Sequence, residues 1–107
     1  MQRLTACLVF FGLTLVGQAS YADTEKLQLM LQRNNCTACH LIDKVKYGPK
    51  LNEVAAKYAN DAGAADKLAA KIRAGGTGVW GEDIMPPQPQ VSEADALTMA
   101  QYILALK

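Results

Sequence analysis

Histidine is almost missing from this chain of 107 residues: His40 stands alone. A single histidine excludes any centre built on two imidazoles of one chain. Cysteine is scarce as well, with three residues, and one of them, Cys7, lies at the extreme N-terminal side. An excess of one charge is also lacking. Eleven basic residues face ten acidic ones, for a formal net charge of +1, which offers no footing for nucleic acid or an anionic membrane surface. No segment alternates with the two-residue period of a strand, and there are no repeats, low-complexity tracts or linkers. The longest apolar run, residues 4–16, is shorter than the roughly 20 residues a membrane-spanning helix needs. The length allows one domain at most.

That apolar run has its own meaning. Arg3 supplies a short positive start, residues 4–16 are nearly unbroken apolar sequence, and Ser20-Tyr21-Ala22 is a small-x-small cleavage site. These are the three regions of a secretory signal peptide. A retained anchor is the other reading, disfavoured by the shortness of the run and by the cleavage site. A lipoprotein cysteine should follow the apolar run, whereas Cys7 opens it. Cleavage after Ala22 makes residues 1–22 a removed leader and residues 23–107 the mature domain. It also removes Arg3, which brings the charge to zero, and Cys7, which leaves the pair Cys36 and Cys39.

Those two cysteines belong to Cys36-Thr37-Ala38-Cys39-His40. Two thiols three residues apart, followed directly by an imidazole, form the c-type haem attachment signature. On this reading the sulfurs of Cys36 and Cys39 form thioethers to the haem vinyl groups and His40 is an axial iron ligand. Export is where covalent haem attachment is expected, so leader and motif support each other. A thioredoxin-like redox pair would sit beside a βαβ pattern, which is absent. A structural zinc site needs four ligands, and the mature chain offers two cysteines and one histidine. A plain disulfide between the two thiols is the third alternative. A domain this small often needs a staple, and a buried haem would form much of its core.

Helical periodicity accounts for most of the rest. Asp23 is placed to cap a first helix with Glu25 in its first turn, and Leu27, Met30 and Leu31 recur at i, i+3, i+4 as far as Asn34-Asn35. An irregular stretch, residues 41–50, carries Lys44, Lys46 and Lys50 around Tyr47-Gly48-Pro49. The lysines read as a solvated face or as a docking patch. The Pro49 carbonyl is available to accept from the His40 ring N–H and raise its basicity; an ordinary turn proline before a helix is the other reading. Leu51, Val54, Ala55 and Tyr58 mark a second helix, punctuated by residues 61–63. The spacing predicts a third helix over Ala64–Ala74, with Ala65, Leu68, Ala69 and Ile72 on one face and Gly75-Gly76 as its stop. Ser92 and Asp95 resemble a capping box for a last helix running to Lys107, with Leu97, Ala100, Ile103 and Leu104 inward. The fold class is all-α, about four helices.

Residues 75–91 lack any period. They hold four glycines, three prolines, the single tryptophan Trp80, and Met85 directly before Pro86-Pro87. A loop that long in a small domain is usually functional. After leader removal three methionines remain, Met30, Met85 and Met99. Two of them fall on helical stripes and read as core, so Met85 is the candidate second axial ligand. A lysine or an open position are the alternatives.

With those residues assembled, the chain resembles the small bacterial class I monohaem cytochromes c of the cytochrome c-551/c-552 (cytochrome c8) type. The resemblance runs the length of the mature chain. It is carried by the haem motif, Gly48-Pro49, Val54-Ala55-Ala56-Lys57-Tyr58, Gly78-Val79-Trp80-Gly81 and Met85-Pro86-Pro87. It implies the small cytochrome c fold around one covalent haem c, His40 and Met85 as the iron ligands, and the Pro49 carbonyl as acceptor from His40. It also implies that Arg73 and Trp80 reach the haem propionates. The implied role is periplasmic one-electron transfer by a monomer, from a membrane quinol-oxidising complex to nitrite reductase or a terminal oxidase. There are two departures. Gln88 stands where many relatives carry Asn against the methionine sulfur. Leu31 stands where an aromatic is common, which loosens the expected packing on Tyr102.

Two other functions compete with the carrier. A peroxidase or gas-reactive haem protein needs an open iron site and a distal acid or base, for which the chain has no second histidine. A permanently bound subunit needs a retained anchor or a large apolar surface. The expectation is a carrier and not an enzyme.

Overall fold

The computed structural model describes residues 19–107. The apolar run of the expected leader lies outside them, and the expected cleavage point falls in the first turn of the first helix. Four helices follow in order: α1 (Ala19–Arg33), α2 (Leu51–Lys57), α3 (Ala64–Ala74) and α4 (Glu93–Leu104), with a short 3₁₀ turn, Cys36–Ala38, after α1. Among the described residues the one sheet-like pairing is an antiparallel bridge between Gly76 and Met85.

α4 is the hub, packing on α1, α2 and α3. The reason is visible in its buried seam, Ala96, Met99, Ala100 and Ile103, which recurs at i, i+3, i+4, i+7 and faces one direction. Two alanines in that seam let neighbouring backbones come close, and Met99 fills the remaining space at 1 % exposure. The seam differs from the expected one. Leu97 is only half-buried because it sits one residue, about 100° of helical rotation, off the Ala96 line. Leu104 packs on the core from its edge. The helix starts as expected, with the Asp95 N–H donating to Ser92 Oγ at 3.1 Å, but it ends at Leu104 and not at Lys107.

α1 contributes Leu27 and Leu31 to the core, with Met30 packed beside them. Its start departs from expectation. The helix already runs at Ala19, so Asp23 is an interior residue and not the cap. The sequence from Ala19 to Asp23 holds neither Gly nor Pro, so nothing stops helical bonding from propagating backward in the uncleaved chain. Asn35 ends the helix region in a left-handed conformation, φ 61°, which Asn tolerates better than most residues. α3 spans Ala64–Ala74, with Leu68 and Ile72 buried and Ala65 and Ala69 at the margin.

Leu27 is fully buried and Leu29 is 58 % exposed on the same helix. Leu27→Ala should lower the unfolding free energy of the holoprotein by about 2–5 kcal/mol, and Leu29→Ala by no more than about 0.5 kcal/mol. Denaturant titration of the two variants checks the phase of α1. Similar losses at both positions would contradict it.

Candidate functional site

Asn35 turns the chain sharply out of α1 and into the 3₁₀ turn. The Cys36 carbonyl there accepts from both the Cys39 N–H (3.1 Å) and the His40 N–H (2.9 Å). This tight turn brings Cys36, Cys39 and His40 onto one wall of a cavity of about 380 Å³. The cysteines are free thiols, which removes the disulfide alternative from this structure. Burial pushes the Cys36 thiol above its ordinary range; the nearby Cys39 adds to the rise, and a backbone hydrogen bond opposes it.

His40 is held from behind. Its Nδ1 lies 3.0 Å from the Pro49 carbonyl oxygen. A carbonyl can only accept, so Nδ1 carries a proton, and in the neutral imidazole Nε2 is then the nitrogen with the lone pair. The backbone at Pro49 is anchored through its neighbours, with the Gly48 N–H donating to the Cys39 carbonyl at 2.9 Å and the Leu51 N–H to the Leu41 carbonyl at 3.0 Å.

Leu51, Val54, Leu68, Ile72 and Ile103 make much of the cavity's lining apolar. Met85 enters the same cavity from the long loop. That loop is zipped onto the end of α3. Gly76 and Met85 exchange both backbone hydrogen bonds, at 2.9 and 2.8 Å, and the Gln88 N–H donates to the Arg73 carbonyl at 3.0 Å. Within it the Thr77 hydroxyl lies 3.0 Å from the Glu82 carbonyl. Met30 is absent from the lining. Met99 touches the cavity from below, locked in the core, whereas Met85 is half-buried on irregular backbone.

Trp80 lines the rim, 43 % exposed, with Lys57 Nζ 5.4 Å from its ring centroid. Arg73 is not brought to this cavity. Its Nε donates to the Val91 carbonyl at 3.0 Å and its Nη1 to Glu93 at 3.3 Å, tying α3 to the start of α4. The basic residue of α3 that does border the cavity is Lys71, whose ammonium lies against Gly76. Sequence reading missed it, though a signal existed. Lys71 lies four residues after Lys67 and directly before Ile72, on the stripe that α3 turns to the cavity, while Arg73 shares its side with Ala69 and Ala70. Gln88 also borders the cavity, but its amide nitrogen donates to the Pro86 carbonyl at 3.4 Å and its amide oxygen accepts from Gln90 at 2.6 Å.

Two thiols, an imidazole with a free Nε2, a thioether and an apolar hollow form the donor set and the shape that a thioether-bound haem requires. The cytochrome c family profile matches residues 17–107. The chain belongs to the cytochrome c family. Cytochrome c-551 of Azotobacter vinelandii is 54 % identical over 78 residues, covering 73 % of this chain and 94 % of that protein. Cytochrome c-552 of Nitrosomonas europaea is 44 % identical over 103 residues, covering 96 % of this chain and 98 % of that one. The crystal structure of the wild-type Nitrosomonas europaea cytochrome c552 superposes with a TM-score of 0.73 at 48 % identity, covering 75 % of this chain and 99 % of that chain. As a cytochrome c of the c-551/c-552 kind, the protein carries one covalent haem c and is a monohaem electron carrier. Among the described residues no helix of this cytochrome is long and apolar enough to cross a membrane.

Proposed function

We propose that this cytochrome is a periplasmic, monomeric one-electron carrier, exported and cleaved after Ala22, with His40 Nε2 and Met85 Sδ as its axial ligands and Cys36 and Cys39 as its attachment points. The observation that carries the ligand assignment is the bond between His40 Nδ1 and the Pro49 carbonyl. It makes Nε2 the lone-pair nitrogen of the neutral ring, on a cavity whose loop wall supplies Met85. When bound, the haem supplies reversible one-electron chemistry, with a potential raised by the His/Met pair.

The chain's own residues do the rest. Leu51, Val54, Leu68 and Ile72 exclude water from the cavity, which favours the less charged reduced state. The Pro49 carbonyl fixes the His40 tautomer. Lys71 and Trp80, both at the rim, are the side chains we assign to the propionates, while Arg73 is already committed to Val91 and Glu93. Electron exchange runs through the edge near Cys36 and Cys39. Beside it lie Val45 and Tyr47, 67 % and 71 % exposed, flanked by Lys44 and Lys46. Such a patch suits a small, transient interface with a quinol-oxidising donor and with a nitrite reductase or terminal oxidase as acceptor.

The test is one preparation from native membranes-free extract. Its intact mass should equal residues 23–107 plus one haem, and acidified organic solvent should extract no haem. Its oxidised and reduced visible spectra should be those of a low-spin, six-coordinate c-type haem. Retention of residues 1–22 would overturn the export reading, and extractable haem the attachment reading. A high-spin parent that binds carbon monoxide readily would replace the carrier by an open-site haem protein.

A further inference from the structure

Gly48 is a glycine for want of space, not for backbone freedom. Its φ lies outside the left-handed region that favours glycine, unlike those of Gly75, Gly76, Gly78 and Gly81. A Cβ built on it would overlap His40 Cε1 and lie 2.7 Å from Nδ1 and 2.9 Å from Nε2. Near-equal approach to three adjacent ring atoms means that Gly48 lies over the face of the imidazole. An approach along the Cε1–H edge would leave both nitrogens much farther away. The backbone has little room to withdraw, because the Gly48 N–H donates to the Cys39 carbonyl at 2.9 Å and the Gly48 carbonyl accepts from the Lys46 N–H at 3.3 Å.

We propose that Gly48 is the positioning residue that sets the ring plane of His40, acting through face contact while Pro49 fixes the ring's proton. The two neighbours divide the task. The Pro49 carbonyl stops rotation by holding Nδ1–H in one direction, and the bare α-carbon of Gly48 lets the ring lie flat against the turn. A methyl group at residue 48 moves the softest partner, which is the half-buried imidazole and not the doubly anchored backbone. Tilting the ring lengthens the Nδ1–H to Pro49 bond. A ring that donates a weaker hydrogen bond is a poorer electron donor through Nε2, so the oxidised state loses stabilisation and the midpoint potential rises.

The inference rests on His40 being an iron ligand, and its test separates the two claims. Gly48→Ala should still carry covalent haem, with an upward shift in potential, displaced His40 ring-proton resonances and faster exchange of the His40 Nδ1 proton. Gly63→Ala is the control. Gly63 has an ordinary φ of −92°, and its Cβ would meet only Asp61 Oδ1 at 3.5 Å and Lys67 Cε at 3.8 Å, so potential and His40 signals should match the parent. In the reduced parent itself, the Gly48 α-protons should show cross-relaxation to the His40 ring protons, a measurement that needs no variant to fold. If Gly48→Ala yields no holoprotein, that contact decides the matter, its presence supporting the proposal and its absence overturning it. A Gly48→Ala holoprotein with parental potential and parental His40 resonances would overturn it as well. A parent without low-spin imidazole ligation would instead sink the ligand assignment.

Discussion

Met85→Ala is expected to convert a ligand-inert carrier into a haem protein with an open iron position. The variant should mature normally, because the proposed attachment points, Cys36 and Cys39, lie in the turn after α1 and not in the loop that carries Met85. Its oxidised form should become largely high-spin, take up cyanide or carbon monoxide readily, and gain a peroxidase activity the parent lacks. The potential should fall, by on the order of 0.1 V or more out of the roughly 0.8 V range that axial ligands span. Met85→His should remain six-coordinate with a lowered potential, since imidazole favours Fe(III) more than a thioether does. The competing sulfur is that of Met99, which also touches the cavity but is 1 % exposed within the core. Met99→Leu, close in volume, should leave spectrum and potential in place and cost no more than about 1.5 kcal/mol of stability. Redox titration and spin-state spectra of the three variants check this. If Met99→Leu opened the iron and Met85→Ala did not, the two methionines would exchange roles.

The residues that make this argument possible were legible to different degrees. Cys36, Cys39 and His40 form a contiguous motif, so their gathering on one cavity wall could be anticipated from the sequence. α3 was legible to its ends, since an amphipathic stripe runs up to a glycine stop that the structure confirms with Gly75 N–H donating to the Lys71 carbonyl at 2.8 Å. Met85 stood out by its placement on irregular backbone. What stayed hidden depends on helical phase and on where a helix docks. Lys71 and Arg73 are both basic residues in the last turn of α3, and two residues of rotation decide which meets the cavity and which meets Val91. Leu97 looked as apolar as its neighbours, but the small side chains of Ala96 and Ala100 determine which face of α4 can approach the other helices. The end of a helix is equally hard to read where no breaker marks it, as before Asp23, where α1 already runs from Ala19.

Gly75→Ala should be the most damaging single-methyl substitution in the chain, and it should act on Met85 without touching any donor atom. Gly75 has φ 65° and ψ −155°, a region that residues with a Cβ enter at a cost of about 1–3 kcal/mol. The steric term adds to this. A Cβ there would overlap the Met85 carbonyl oxygen and lie 2.8 Å from both Pro86 C and Pro87 N. All three are backbone atoms of a segment stiffened by two prolines, so no side chain can swing aside. The loop must therefore lift from the end of α3, and lifting it breaks the paired hydrogen bonds between Gly76 and Met85 that aim the methionine into the cavity. Stability should drop by at least about 3 kcal/mol, at the upper end of what single substitutions do, and the oxidised spectrum should lose part of its thioether ligation. Gly81→Ala separates the two causes. Its φ is +112°, nothing lies within 4 Å of its Cβ position, and it does not line the cavity, so it should lose stability from backbone strain alone and keep its ligation and potential. The measurements are denaturant unfolding and redox titration of both holoproteins. A Gly75→Ala protein with parental potential, or a Gly81→Ala protein that loses the thioether signal, would show that the close backbone approach at Gly75 is not what holds Met85 in place.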